Sequence, residues 1–293
     1  MRVFVTGASG QLGRDVMKEL RARGHEVTGC ARNPDDEAIV PLDITDGDAT
    51  SLAIANARPD AVIHCAAWTD VDGAEDAGNR EAVYSVNVTG THNVAKAAKE
   101  CGASLVYIST DYVFSGRGTK PWKPEDGDLA PLNHYGETKL AGERAAAAIT
   151  DRLFIVRTSW LFGAGGKNFV KAIVRAAWTG RELRVVDDQV GTPTYTRDLA
   201  VLLADMIETE KYGCYHATNE GGYISWYDFA CEIVRQAGTG AYITPVSTDK
   251  YDLAKAARPE NSRLDKSRLT EAGFTLLPDW REALKEYLKE EEF

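Results

Sequence analysis

The sequence has no excess of positive charge and no long apolar run, and we expect no signal peptide. Its 293 residues carry a net charge of −10, whereas binding to nucleic acid or to an anionic membrane needs a cationic face. No apolar run approaches the roughly 18 residues of a membrane span, and Met1 leads into an apolar strand without a basic region or a cleavage site. We therefore expect a cytoplasmic protein with neither a membrane nor a nucleic acid among its partners.

Cysteine and histidine are also too few and too scattered to build a framework. The five cysteines are odd in number and lie mostly within apolar segments, and the five histidines show no ligand spacing. This distribution is typical of buried free thiols in a reducing compartment. It predicts no metal site and no disulfide framework.

What the sequence does contain is a regular alternation of strand and helix patterns. Apolar, β-branched runs at 2–6, 26–31, 61–66, 104–109 and 153–158, and a short one ending near 43, alternate with helical spacing at 15–23, 49–57, 81–101 and 135–149. This alternation predicts an α/β fold with a Rossmann-type, doubly wound parallel sheet.

Beyond residue 160 the alternation loosens. Helical patterns at 169–179, 196–210, 226–237 and 280–289 are separated by loops and by short strand patterns at 183–187 and 213–217. We expect a dinucleotide-binding domain over 1–160, to which about 187–220 returns. A smaller, mixed α/β substrate domain is expected over 161–293.

A glycine-rich turn follows the first predicted strand. Its spacing is Gly-x-x-Gly-x-x-Gly, between a strand and a helix. The first glycine permits a tight turn, the second lets backbone amides approach a pyrophosphate, and the third lets the helix pack on the strand. An ordinary strand–helix turn is the alternative. We predict that a dinucleotide cofactor contacts Gly7, Ser9, Gly10, Gln11, Leu12 and Gly13.

The ends of the next strands indicate which dinucleotide binds. An acid after the second strand would accept hydrogen bonds from a ribose 2′-hydroxyl, but this position holds Arg32, which can pair with a 2′-phosphate. We therefore expect NADPH, with NADH as the alternative if Arg32 is only a solvated loop charge. Asp43 and Ile44 are placed to meet the adenine. The small side chains of Ala66 and Ala67 let the cofactor lie against the backbone, or serve packing alone.

Three polar residues form the predicted catalytic group. Tyr135 precedes Lys139 by four residues, which puts both on one face of a helix. Thr110 ends the fifth strand, where ligands bind in open α/β sheets. A nearby ammonium would lower the pKa of the phenol from about 10 and suit it to acid–base work.

We expect Tyr135 to give a proton to a carbonyl oxygen as hydride reaches the carbon. Lys139 would hold the nicotinamide ribose, and Thr110 would orient the carbonyl. The alternatives are that Tyr-x-x-x-Lys arises by chance on an amphipathic helix and that Thr110 is a strand-end cap.

Longer motifs make a family resemblance specific. Thr6 to Gly13, Ser109-Thr110-Asp111 and Tyr135 to Lys139 resemble the extended short-chain dehydrogenase/reductase superfamily. Within it, the chain resembles the dTDP-4-dehydrorhamnose reductases through motifs that lie in order along almost the whole chain. They are Ser109-Thr110-Asp111-Tyr112-Val113-Phe114, Pro131-Leu132-Asn133-x-Tyr135-Gly136-Glu137-Thr138-Lys139-Leu140-Ala141-Gly142-Glu143, Arg157-Thr158-Ser159-Trp160, Asp188-Gln189-x-Gly191-x-Pro193-Thr194 and Arg258-Pro259-x-Asn261-Ser262-Arg263-Leu264.

The resemblance implies NAD(P)H-dependent reduction of the C4 ketone of dTDP-4-dehydro-L-rhamnose, the last step of dTDP-L-rhamnose synthesis. It implies the same catalytic trio and a dTDP-sugar as substrate. By position, it places Thr69, Val71, Asp111, Tyr112 and Trp160 near the sugar, and Asn168, Arg258 and Arg263 near the nucleotide. The arginines suit a diphosphate, because a guanidinium pairs with it in a bidentate way. The alternative is that either arginine only bridges the two domains.

Two other kinds of protein remain as alternatives. A nucleotide-sugar 4,6-dehydratase is disfavoured, because that family uses adjacent Asp and Glu after the threonine, and here Asp111 is followed by Tyr112. A 4-epimerase recycles a tightly held NAD, and Arg32 with no acid after the second strand argues against it. A non-catalytic subunit resembling the regulatory β subunit of methionine adenosyltransferase would share the fold without the activity. The resemblance also raises a magnesium-linked homodimer, for which Asp15 is the one plausible acid. We predict no metal and leave the homodimer open.

Overall fold

The computed structural model describes residues 1–34, 36–127, 129–180, 182–250 and 255–291. Its strands are β1 (Arg2–Thr6), β2 (Glu26–Ala31), β3 (Ile39–Pro41), β4 (Ala61–His64), β5 (Ser104–Thr110), β6 (Leu153–Thr158), β7 (Leu161–Phe162), β8 (Leu183–Val186), β9 (Val190–Gly191), β10 (Thr194–Tyr195), β11 (Gly213–His216), β12 (Asn219–Glu220), β13 (Ile224–Ser225), β14 (Ile243–Val246) and β15 (Leu277–Asp279). Its α-helices are α1 (Gln11–Ala22), α2 (Gly47–Ala57), α3 (Arg80–Tyr84), α4 (Thr91–Glu100), α5 (His134–Ala147), α6 (Phe169–Trp178), α7 (Thr196–Ile207), α8 (Trp226–Ala237), α9 (Ser267–Glu271) and α10 (Trp280–Glu290). Short 3₁₀ turns lie at Gly73–Glu75, Asp111–Val113 and Thr248–Lys250.

A parallel sheet of seven strands organises the fold. The strand order is β3-β2-β1-β4-β5-β6-β11, and each neighbouring pair is parallel. The order reverses between β1 and β4, and ligands bind at such a switch point, outside the carboxyl ends of the strands. The predicted Rossmann-type sheet is confirmed. The last strand, β11, comes from the stretch predicted to return to the first domain; the division into two domains stays a prediction.

Helices cover both faces of the sheet because its strands are nearly continuous apolar runs. On one face α1 and α7 pack together, with Val16, Leu20 and Leu203 in the core. On the other face α2, α4 and α5 bury a second core that includes Ile54 and Val94. Two-sided burial of this kind is typical of parallel sheets, and it leaves the carboxyl ends of the strands as the place for a site.

A smaller α/β region follows the main sheet. Its core lies between α6, α8, α10 and the parallel pair β8–β14, and it is rich in aromatic side chains, among them Phe162, Phe229, Trp280 and Tyr287. The predicted smaller C-terminal region is confirmed. The strand β14 is not among the predicted strands.

Two differences from the predicted elements lie beside the candidate site. The strand predicted at 61–66 ends at His64. The helix predicted at 81–101 is interrupted by a π-helical segment, Ser85–Gly90, between α3 and α4. Within this wider turn Asn87 reaches the loop after β4 and accepts the Trp68 N–H at 2.8 Å. Apolar spacing cannot reveal such a change, because the helical period is lost for a single turn.

Within the described ranges, no helix is long and apolar enough to cross a membrane. The same residues contain no group of three or more His, Cys, Asp or Glu side chains that could hold a metal ion. All five cysteines are free thiols.

Candidate active site

The turn after β1 has the geometry that its glycines predict. Gly7 adopts a φ of +67°, a left-handed conformation that favours glycine, and a Cβ there would lie 2.7 Å from Ala66 N, just after β4. A Cβ on Gly13 would lie 2.1 Å from the Gly7 carbonyl oxygen, so α1 packs on the loop at a distance that requires glycine. The tight turn and the close helix packing are confirmed.

The same loop contains a side-chain hydroxyl and backbone amides that are placed to bind a ligand. Ser9 Oγ is buried and has no hydrogen-bond partner among the described residues, and α1 begins at Gln11 without a side-chain cap. The amides of an uncapped first helical turn favour an anion. This donor set fits the pyrophosphate of a dinucleotide. Leu12 can take part through its backbone alone, because its side chain packs in the core.

A cavity of about 340 Å³ lies beside this loop at the switch point. It is lined from the ends of four neighbouring strands, β1 to β4, and so brings together residues far apart in the chain. The predicted cofactor and substrate residues that line it are Gly7, Arg32, Asp43, Ile44, Ala66, Ala67 and Thr69. Asp43 Oδ1 also accepts the Thr45 N–H at 2.9 Å, which holds the loop after β3 in a turn.

Thr110 and Tyr135 meet at the carboxyl end of β5. Tyr135 lies in the first turn of α5, which is capped by Asn133, whose Oδ1 accepts the Gly136 N–H at 2.8 Å. The phenol interacts with the Thr110 hydroxyl. Burial raises the pKa of Tyr135 well above its usual value; the Asp111 carboxylate adds to the rise and Thr110 opposes it. Such a phenol stays protonated at neutral pH, and it can therefore donate a proton.

Lys139 faces the sheet rather than the Tyr135 phenol. Its Nζ donates to the Ile108 carbonyl oxygen at 2.7 Å and lies 4.3 Å from the centroid of the Tyr107 ring. Burial lowers the pKa of Lys139 to about 7, and the charge of Glu143 opposes this. The prediction that Lys139 lowers the pKa of Tyr135 is wrong for this structure, because burial dominates the phenol and the ammonium is bound to a carbonyl of β5.

Asp111 is buried directly beside Thr110. Its Oδ1 accepts the Thr110 hydroxyl at 3.1 Å, whereas Oδ2 is buried with no partner in hydrogen-bond geometry among the described residues. Burial raises the pKa of Asp111 to about 6, and the nearby hydroxyls of Ser262 and Thr110 oppose this. Thr110 Oγ1 also accepts the Tyr112 N–H at 3.2 Å. Thr110 is therefore a strand-end cap as well as a partner of Tyr135.

Asp111→Asn is expected to remove a stability cost that grows with pH. Because the pKa of Asp111 rises from 3.8 to about 6 on folding, the folded state retains a proton that the unfolded state loses, so stability falls as the pH rises through this window. The variant should gain roughly 3 kcal/mol relative to the parent between pH 4 and pH 7. Urea unfolding across this range measures the difference. A difference that does not change with pH would contradict the burial of a protonated carboxyl.

Trp160, predicted near the sugar, has a strained backbone. Its φ of +51° lies in the left-handed region, which is uncommon for a bulky residue and is found mostly at functional sites. The indole stacks on Trp226, with ring centroids 3.7 Å apart. A second predicted sugar residue, Tyr112, packs edge-on against Tyr135 at 5.7 Å between centroids.

The chain matches the family model of the RmlD substrate binding domain over residues 1–293. The chain belongs to this family. It is 44% identical over 293 residues to the dTDP-4-dehydrorhamnose reductase of Streptomyces griseus, with 97% of this chain and 92% of that protein covered. It is similar to the crystal structure of a dTDP-4-dehydrorhamnose reductase from Clostridium acetobutylicum, with a TM-score of 0.93, 40% identity and 100% of both chains covered. The Bacillus anthracis dTDP-4-dehydrorhamnose reductase, solved in complex with NADP, gives a TM-score of 0.91 at 40% identity over 99% of both chains. The resemblance inferred from the motifs is confirmed.

In this RmlD-family chain, Asn168 is engaged in joining two parts of the fold. Its Oδ1 caps α6 by accepting the Lys171 N–H at 2.9 Å. Its Nδ2 lies 3.2 Å from Gln11 Oε1, 2.8 Å from the Gly163 carbonyl oxygen and 3.0 Å from Tyr287 Oη. A contact with the nucleotide would have to replace one of these bonds, so that role stays a prediction.

The two arginines predicted for the nucleotide also have protein partners. Arg258 pairs with both oxygens of Asp72 at 2.9 and 2.6 Å, across 186 positions of sequence, and lowers the pKa of Asp72 to about 2. Arg263 donates to Asn261 Oδ1 at 2.9 Å. Asp72 follows the predicted sugar residue Val71 in the loop after β4, so Arg258 joins that loop to the segment that begins near Ala256. A bridge between two domains stays a prediction. Binding of a diphosphate by either arginine stays a prediction.

Sequence reasoning missed two buried polar groups behind the site. Glu143 and Arg157 form an ion pair whose side chains are each 5% exposed. Asn87, besides holding Trp68, donates to Thr138 Oγ1 at 3.0 Å. Glu143 and Arg157 stand in separate RmlD-like motifs, but no spacing rule shows that the two motifs meet.

Proposed function

We propose that this protein reduces the C4 ketone of dTDP-4-dehydro-L-rhamnose to dTDP-L-rhamnose with NADPH. The carrying observation is that Thr110 and Tyr135 meet at the end of β5, with Lys139 on the same helix, in a chain that is 44% identical to the reductase of that name over 97% of its length. The proposal includes a cytoplasmic location and a homodimer. Cell fractionation tests the location, and measurement of the molecular mass in solution tests the homodimer.

The chemistry assigned to the protein is proton transfer and orientation. The nicotinamide, when bound, supplies the hydride for C4. Tyr135 gives its phenolic proton to the ketone oxygen as negative charge develops there, and the raised pKa keeps that proton in place beforehand. Thr110 orients the carbonyl and Lys139 holds the ribose. The buried Ser9 hydroxyl and the amides at the start of α1 hold the pyrophosphate.

Loss of absorbance at 340 nm tests the reaction. Purified protein is given NADPH or NADH together with dTDP-4-dehydro-L-rhamnose generated in situ, and the sugar product is identified by mass spectrometry. The proposal requires loss of absorbance that depends on the sugar, with dTDP-L-rhamnose formed. No loss from a protein shown to bind NADPH would overturn the substrate, and tight binding of a partner protein would then favour a regulatory subunit.

Arg32→Ala is expected to weaken the binding of NADPH more than the binding of NADH. Arg32 is exposed at the cavity wall, and a lost guanidinium–phosphate contact costs about 1–3 kcal/mol, which corresponds to a rise in Kd of roughly 5- to 150-fold. Titration of cofactor fluorescence measures both dissociation constants. Arg152→Ala, an exposed arginine just before β6, is the control and should change neither. Equal weakening of both cofactors would remove the 2′-phosphate role.

A further inference from the structure

Glu143 extends the line of catalytic side chains along α5. It follows Lys139 by one helical turn, as Lys139 follows Tyr135. Its carboxylate is buried and accepts three hydrogen bonds: from Arg157 Nε at 2.9 Å, from Arg157 Nη2 at 2.7 Å and from Ser109 Oγ at 2.5 Å. Neither Glu143 nor Ser109 has a role in the function proposed above.

The bond to Ser109 joins the catalytic strand to the catalytic helix. Ser109 immediately precedes Thr110 at the end of β5, and Glu143 lies on α5 with Tyr135 and Lys139. Two further contacts link the same elements: Lys139 Nζ donates to the Ile108 carbonyl oxygen at 2.7 Å, and Tyr107 Oη donates to the Lys139 carbonyl oxygen at 3.1 Å. The Glu143 carboxylate therefore helps to fix Thr110 relative to the two α5 residues.

The same carboxylate contributes negative charge to the surroundings of Lys139. The titratable side chains that interact with Lys139 from each element packed on it are Glu143 on its own helix, His64 and Cys65 at the end of β4, and Tyr107 on β5. Arg157, from β6, lies behind Glu143 and balances its charge. A buried cation loses its proton readily unless an opposite charge is near, so Glu143 favours the ammonium form.

We propose, on the basis of the function proposed above, that Glu143 is a positioning residue for the reduction. Balanced by Arg157, its carboxylate holds Ser109, and through it Thr110, against α5 and keeps Lys139 cationic. A purely structural ion pair would need the Arg157 contacts but not the bond to Ser109 or the proximity to Lys139.

The first test needs no substrate. The protein is labelled with ¹³C at the lysine ε carbons, the Lys139 resonance is assigned with Lys139→Met, and its titration is compared between the parent and Glu143→Gln. Loss of a nearby opposite charge lowers the pKa of a cation by about one unit or more. The titration midpoint of Lys139 should therefore fall by about one pH unit. An unchanged midpoint would overturn the electrostatic role, whatever the substrate proves to be.

The second test separates position from charge in turnover. Ser109→Ala keeps both charges but removes the bond that places Thr110, so kcat should fall by about tenfold through misplacement of that hydroxyl, with the pH profile unmoved. Glu143→Gln should lower kcat. It should also move the alkaline limb of the pH profile of kcat to lower pH, because the pKa of Lys139 falls. Asp205→Asn, which breaks the distant ion pair of Arg23 and Asp205, is the control for removing a paired carboxylate. Unchanged turnover in Ser109→Ala would overturn the positioning role.

A charge-neutral variant keeps the test decisive if Glu143→Gln does not fold. Glu143→Gln/Arg157→Met removes both members of the pair, so that neither of these two charges stays buried without the other. Its Lys139 midpoint should still lie below that of the parent. A Lys139 midpoint equal to the parent in this variant would overturn the proposal.

Discussion

Tyr135→Phe is expected to abolish most of the turnover while NADPH binding stays near that of the parent. The substitution removes the proton that the ketone oxygen must receive, and loss of a general acid costs about 10²–10⁴-fold in rate. The phenyl ring keeps the edge-on contact with Tyr112, at 5.7 Å between centroids in the parent, so the fold around the site should persist. Steady-state kinetics give kcat, and fluorescence titration gives the dissociation constant of NADPH.

Tyr112→Phe is the matched control for that variant. It removes a phenol from the same aromatic pair but not the phenol that interacts with Thr110. We expect a change in KM for the sugar with kcat lowered by less than about tenfold. If Tyr135→Phe keeps a substantial share of the parent turnover, or if both variants lose turnover equally, the acid role of Tyr135 is wrong.

The fold was predictable because its signals are local. The glycine loop joins a strand and a helix within a dozen residues, and the turn at Gly7 and the packing of Gly13 follow from spacing alone. Alternation of strands and helices also predicts the parallel sheet, since parallel strands need helical crossovers. The pairing of β11 with β6 and of β14 with β8 depends on contacts distant in sequence. Of these two pairings, the sequence predicted only that the region of β11 joins the first domain.

The candidate site was predictable in its residues but not in its interactions. Tyr135 and Lys139 could be placed on one helical face, yet the direction of the Lys139 side chain depends on the Ile108 carbonyl 31 positions away. The pKa of Tyr135 depends on burial, which no spacing shows. Asp72 and Arg258 are 186 positions apart in the sequence. The sequence could therefore predict that Arg258 binds an anion, but not that the anion is the Asp72 carboxylate.

Arg157→Met is expected to destabilise the protein strongly. The loss of stability should arise because Glu143 stays buried and charged without its partner. The parent pair is bidentate and each side chain is 5% exposed. Removing one member of a buried pair typically costs about 3–5 kcal/mol, because the other charge stays buried without its partner. Methionine keeps much of the apolar volume against Phe114, whose ring lies 5.0 Å from the guanidinium carbon. The free energy of unfolding in urea measures the loss.

Two further variants show whether burial causes that loss. Arg235→Met breaks a pair with Glu232 in which the arginine side chain is 69% exposed, and exposed pairs contribute at most about 1 kcal/mol. Glu143→Gln/Arg157→Met should recover most of the stability that Arg157→Met loses, because the Glu143 charge is then no longer left without Arg157. A loss in Arg157→Met no larger than in Arg235→Met would mean that water reaches Glu143. The carboxylate could then neither fix Ser109 firmly nor act strongly on Lys139, since both effects depend on its exclusion from solvent.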